Sequence, residues 1–156
     1  MNSSRNRRAT LLLVEDEVLV RWAAATVLRD AGFQVFDVER ADEALPILEG
    51  RSDIAVVFTD INMPGRLDGR ALAFEVKRRW PGIGLLVTSG DLGSREPRLP
   101  DGSRFLAKPY SDVDLIAGIN ALITPAPAPA RRSPAVRLEA RAMDMASWAQ
   151  PRWVSR

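Results

Sequence analysis

Charged side chains stand where apolar runs end. Leu11 to Val14 leads into Glu15-Asp16-Glu17, Ile54 to Thr59 leads into Asp60, and Phe105 to Ala107 leads into Lys108-Pro109. Runs of this length and composition read as buried strands. In an open parallel sheet the carboxyl ends of the strands line one edge, where ligands bind. Glu15, Asp16, Asp60 and Lys108 are therefore expected to converge. Clustered carboxylates attract a hard divalent cation such as magnesium, which takes oxygen ligands. A neighbouring lysine suits a phosphoryl oxygen as a point charge. The chemistry suggested is acceptance of a phosphoryl group on a carboxylate.

Composition narrows the alternatives. The chain has no Cys and no His, which excludes disulfides, thiolate chemistry, histidine metal sites and histidine general bases. No apolar run approaches the ~20 residues of a membrane helix, and Leu11 to Val14 is too short for a signal core. A cytoplasmic location is expected by default. Charge is uneven: residues 1–10 carry +3, residues 11–123 carry −5 and residues 124–156 carry +4. An acidic middle argues against the folded part gripping nucleic acid. The basic ends read as solvated arms.

Positioning four groups at one edge requires alternating strands and helices, and the pattern supplies them. Val18 to Ala31 is rich in helix formers and stops at Gly32. Phe33 to Val38 alternates like a strand. Ala41 to Glu49 reads as a short helix ending at Gly50, with Pro46 expected to kink or shorten it. Asp68 to Trp80 is helical and stops at Pro81-Gly82. Ile83 to Thr88 is the fourth strand and Phe105 to Ala107 the fifth. Ser111 opens the last helix, with Asp114 in capping-box position. Leu115, Ile116, Ile119, Leu122 and Ile123 form its apolar face. Gly90 to Arg104 holds three glycines and two prolines, so at most one short helical turn fits. Three regions follow: a basic arm at 1–9, a domain at 10–123, and a Pro/Ala linker with a basic tail at 124–156.

Taken in order, these motifs resemble the receiver domain of two-component response regulators, of the single-domain, chemotaxis-regulator-like kind. The resemblance runs from Leu11 to Ile123. It rests on the acidic pair after the first strand, Asp60 followed by Asn62-Met63-Pro64-Gly65, a hydroxyl residue after the fourth strand, and Lys108-Pro109. It implies an α/β fold, a doubly wound five-stranded parallel sheet of flavodoxin-like order 2-1-3-4-5. The fourth helix is expected to be eroded or replaced by a loop.

The resemblance also implies roles. Asp60 is the phosphoacceptor. Asp16, with Glu15 partly through water, holds Mg2+ together with Asp60 and the backbone carbonyl of Asn62. Lys108 binds a phosphoryl oxygen, Thr88 donates its hydroxyl to the phosphate, and Phe105 matches the family's rotating aromatic. The implied function is a phosphoacceptor switch in a histidine kinase phosphorelay, either switching partner binding or acting as a phosphate sink. The partners are a sensor histidine kinase or phosphotransfer protein and an unknown downstream protein, with the chain a monomer or weak dimer. No membrane is involved, and nucleic acid is not expected. The protein is then no enzyme beyond accepting and losing its own phosphate. Two alternatives stand beside this: a DNA-binding regulator acting through the basic tail, and a magnesium-dependent phosphatase using an aspartyl-phosphate intermediate. Singly, each residue also has a plain structural reading, such as Asp16 near a helix N-terminus or Phe105 in the core. The loop Gly65-Arg66-Leu67-Asp68-Gly69 is a residue longer than the family's commonest form.

Overall fold

The computed structural model describes residues 9–90 and 97–123. The strands are β1 (Thr10–Val14), β2 (Gln34–Val38), β3 (Ile54–Asp60), β4 (Gly84–Ser89) and β5 (Arg104–Ala107). The helices are α1 (Val18–Asp30), α2 (Ala41–Gly50), α3 (Gly69–Arg79) and α4 (Asp112–Ile123). All pairings are parallel, and the sheet order is β2-β1-β3-β4-β5. This is the doubly wound arrangement. Its central strands are covered on both faces, which is why β1 and β3 are near-continuous apolar runs.

Alternate residues of those strands face different helices. Leu12, Val14, Val57, Leu85 and Val87 meet the buried sides of α2 and α3. Leu11, Leu13, Val56, Phe58 and Leu86 meet α1 and α4, whose Leu28, Leu115 and Ile119 are fully buried. Local signals set the helix starts. The Asp68 carboxylate accepts from the Ala71 N–H at 2.7 Å and caps α3. Ser111 Oγ accepts from the Asp114 N–H at 3.1 Å and donates to the Asp114 carboxylate at 2.7 Å.

Pro46 does not shorten its helix: α2 runs from Ala41 to Gly50 with Pro46 inside it. Pro46 lies on the exposed side, as does Asp42, whose carbonyl it leaves without a helical donor. Ala41, Ala44 and Leu48 hold the opposite side in the core. In the described part of the interval between β4 and β5, residues 97–103, there is no helix. Leu99 packs on the core, Pro100 is buried, and a turn closes with Ser103 N–H donating to the Pro100 carbonyl at 3.1 Å. Gly102 takes the positive φ of 79° that this turn needs. The expectations for residues 1–8 and 124–156 lie outside the described residues, as do those for residues 91–96.

Candidate functional site

Parallel pairing delivers the strand ends to one edge. β1 hands the chain to Glu15 and Asp16, β3 ends at Asp60, and β5 leads into Lys108, whose bond to Pro109 is cis. Carboxylate oxygens of Glu15, Asp16 and Asp60 lie within 4.8 Å of one another. Lys108 Nζ donates to Glu15 Oε2 at 2.9 Å and to Asp60 Oδ2 at 2.5 Å. The remaining oxygens are also engaged: Glu15 Oε1 accepts from the Glu17 N–H at 3.2 Å, and Asp60 Oδ1 from the Asn62 N–H at 2.9 Å. None of these bonds or ion pairs reaches the Asp16 carboxylate.

Burial sets the electrostatics. Glu15 is 2% exposed and Asp60 6%. Desolvation pushes the Glu15 carboxyl above its ordinary range, against the pull of Lys108. Burial alone would lower Lys108, but its hydrogen bonds to Asp60 and Glu15 outweigh that and hold the ammonium well above the usual lysine range. Lys108 is thus a fixed cation at neutral pH. Three carboxyl groups gather around this one ammonium. All the donors are oxygens, and the site opens at the half-exposed Asp16. That donor set fits a magnesium-sized cation.

Asn62 lies beside the carboxylates, with its backbone N–H on Asp60. The two hydroxyls at the end of β4 take different roles. Thr88 pairs with Asp60 in the sheet, is buried, and donates its hydroxyl to the Leu106 carbonyl at 2.7 Å. Ser89 instead accepts from Asn62 Nδ2 at 3.0 Å, and its carbonyl receives the Lys108 N–H at 3.0 Å. Ser89 was not singled out by sequence. The only signal was two adjacent hydroxyl residues where the strand ends. Phe105 is half-buried in β5, opposite Val87.

A further constraint comes from Gly69, the first residue of α3. A Cβ there would overlap the Asp60 carbonyl oxygen and stand 2.7 Å from the Asp60 carbonyl carbon and 2.9 Å from Thr59 Oγ1. Only glycine lets α3 start against the backbone of Asp60.

Residues 11–120 match the response regulator receiver domain model. The chain belongs to the response regulator receiver domain family. It is 36% identical over 107 residues to the sensor kinase CckA of Brucella abortus, covering 66% of this chain and 11% of that protein. It is 38% identical over 116 residues to the hydrogenase transcriptional regulatory protein HoxA of Cupriavidus necator, covering 74% and 20%. The response regulator protein FleR of Pseudomonas aeruginosa is 32% identical over 115 residues, covering 70% and 24%. The chain therefore spans a quarter or less of the length of these curated relatives. Among solved structures, a receiver domain protein from Clostridium thermocellum superposes with a TM-score of 0.68 at 28% identity, covering 74% of this chain and 94% of that one. A receiver protein from Sinorhizobium medicae gives 0.67 at 29%, covering 75% and 95%. Among the described residues no helix is long and apolar enough to cross a membrane.

Proposed function

We propose that this receiver domain is a phosphoacceptor in a histidine kinase relay, with Asp60 as the acceptor. The observation that carries this is the Asp60 carboxylate, seated between the Lys108 ammonium and the acidic pair Glu15 and Asp16. A carboxylate is a weak nucleophile, so it needs a good donor and charge neutralisation rather than a base. An Asp60 oxygen attacks phosphorus, the bond to the donor's imidazole nitrogen breaks, and that nitrogen keeps the electron pair. Lys108 then shifts its hydrogen bond to a phosphoryl oxygen, where negative charge accumulates. Asp16, Glu15, Asp60 and the Asn62 carbonyl would hold Mg2+, which would supply further positive charge at the site.

In this reading Ser89, whose Oγ accepts from Asn62, would donate to the new phosphoryl group in place of Thr88, whose hydroxyl is on the Leu106 carbonyl. Thr88 keeps β4 and β5 in register through Leu106. A sensor histidine kinase or phosphotransfer protein would deliver the phosphoryl group. An apolar groove of about 610 Å³ opens beside Lys108 between α1 and α4, lined by Leu19, Ala23, Tyr110 and Leu115 among others. Leu19 is 80% exposed and Trp22, also on α1, 67%. That surface suits the apolar side of a partner helix. The chain is not a turnover enzyme in this reading. Asn62 stands two residues after Asp60, where an aspartyl-phosphate phosphatase would need an acid for its leaving group.

The test is incubation with a small phosphodonor and magnesium, followed by peptide mapping. Asp60 should carry the label, and Asp60→Asn should lose it. Undiminished label in that variant places the acceptor elsewhere.

A further inference from the structure

The loop carrying Glu15 and Asp16 is held from outside the site by one α1 side chain. Arg21 Nη1 donates to the Glu15 carbonyl oxygen at 2.7 Å, and its Nε lies 3.5 Å from Asp37 Oδ2 on β2. The Arg21 side chain is only 16% exposed, so both contacts are partly shielded from solvent. Asp37 is in turn held by Arg29, whose Nη2 donates to Asp37 Oδ1 at 2.6 Å and to the Val35 carbonyl at 3.0 Å. The two arginines thus share one carboxylate. Arg29 ties α1 to β2 and goes no further, whereas Arg21 continues to the acidic loop.

Glu15 is gripped at every other polar atom as well. Its N–H donates to the Val38 carbonyl at 3.2 Å, and its two carboxylate oxygens take Glu17 and Lys108. Its carbonyl is the one atom whose partner is a side chain outside the site. A planar guanidinium can serve a carbonyl and a carboxylate at once, and a lysine ammonium cannot reproduce that fork.

We propose that Arg21 is a positioning residue for the acidic loop. By bridging the Glu15 carbonyl to Asp37 it holds Glu15 and Asp16 in the arrangement that a divalent cation needs. This rests on the reading of the acidic cluster as a magnesium site. Groups that orient metal ligands from outside commonly change affinity by about 10- to 100-fold when removed.

The experiment uses the full chain and four variants: Arg21→Gln, Arg21→Lys, Arg29→Gln and Asp37→Asn. Magnesium affinity is measured by calorimetry, stability by urea unfolding without metal, and loop opening by amide exchange at residues 15–17 without metal. Arg21→Gln should weaken magnesium binding about 10-fold or more and speed exchange at residues 15–17. Arg21→Lys should recover part of the affinity, and Asp37→Asn should fall between Arg21→Gln and wild type. Arg29→Gln removes a comparable pair of bonds to β2, so it should lower the urea midpoint while leaving magnesium affinity and loop exchange unchanged. Equal loss of affinity in Arg29→Gln and Arg21→Gln would reduce Arg21 to a general stabiliser and overturn the proposal. So would wild-type affinity in Arg21→Gln. If wild type binds no magnesium, the metal reading fails by itself. Loop exchange in Arg21→Gln against Arg29→Gln then decides the clamp, and equal exchange in the two overturns it.

Discussion

Gly69→Ala should damage the acceptor site from the far side of its backbone. The added methyl would occupy the space of the Asp60 carbonyl oxygen, close to the Asp60 carbonyl carbon and to Thr59 Oγ1. Non-bonded heavy atoms settle at roughly 3.5 Å, so either α3 or the end of β3 must give by about 1–2 Å. Neither yields readily. The Gly69 N–H donates to the Ile61 carbonyl at 3.2 Å, and Leu72, Ala73 and Val76 hold α3 in the core. Overpacking of this kind costs about 1–3 kcal/mol, offset by up to about 1 kcal/mol of helix propensity gained from alanine. The net loss in stability should be about 0–3 kcal/mol by that balance. The functional loss should be larger, because a 1 Å misplacement of a reacting group can cost about 10²-fold in rate. Asp68→Ala is the control: it removes the α3 cap, at about 1 kcal/mol, and leaves the space beside Asp60 empty. The assays are urea unfolding and the rate of labelling by a small phosphodonor. If Gly69→Ala labels as fast as Asp68→Ala, the helix yields instead of the strand. The claim that this glycine sets the position of Asp60 would then be wrong.

Asp16→Asn should stabilise the metal-free protein by about 1 kcal/mol, because it removes a carboxylate that has like-charged neighbours and, among the described residues, no compensating bond. It should also abolish the magnesium-induced rise in Tm, and a lower Tm without metal would contradict the repulsion argument. Thr88→Val should cost about 1 kcal/mol by leaving the Leu106 carbonyl without its side-chain donor. Ser89→Ala should instead leave stability nearly unchanged and weaken beryllofluoride binding; the reverse pattern would return the phosphate-facing role to Thr88. Lys108 has a folded pKa raised above its unfolded value of 10.5. Its stabilising share is therefore complete below the unfolded value and lost as pH rises through the folded one. The difference in urea midpoint between wild type and Lys108→Met should shrink only in that alkaline window. Shrinkage already between pH 7 and 9 would mean that the ammonium is not held by Glu15 and Asp60.

Much of this molecule is written locally. Apolar runs of strand length, helix stops at Gly32 and Pro81-Gly82, and the Ser111 capping box each act within a few residues. Their periodicity was enough to place the elements. The charged groups were legible for a related reason: a charge that ends a buried strand must surface at the sheet edge, and parallel pairing puts all such edges on one side. What the sequence left open depended on partners far along the chain. Pro46 reads as a helix breaker until its neighbours Ala44 and Leu48 are seen buried, with the proline itself facing solvent. Thr88 and Ser89 are interchangeable as letters, but successive strand residues point to opposite faces. The register of β4 against β3 and β5 sends one hydroxyl to Leu106 and the other to Asn62. Gly69 against Asp60 and Arg21 against the Glu15 carbonyl are contacts of tertiary packing. No periodicity announces them, because each depends on where a helix start or a helix face lands on a neighbouring strand.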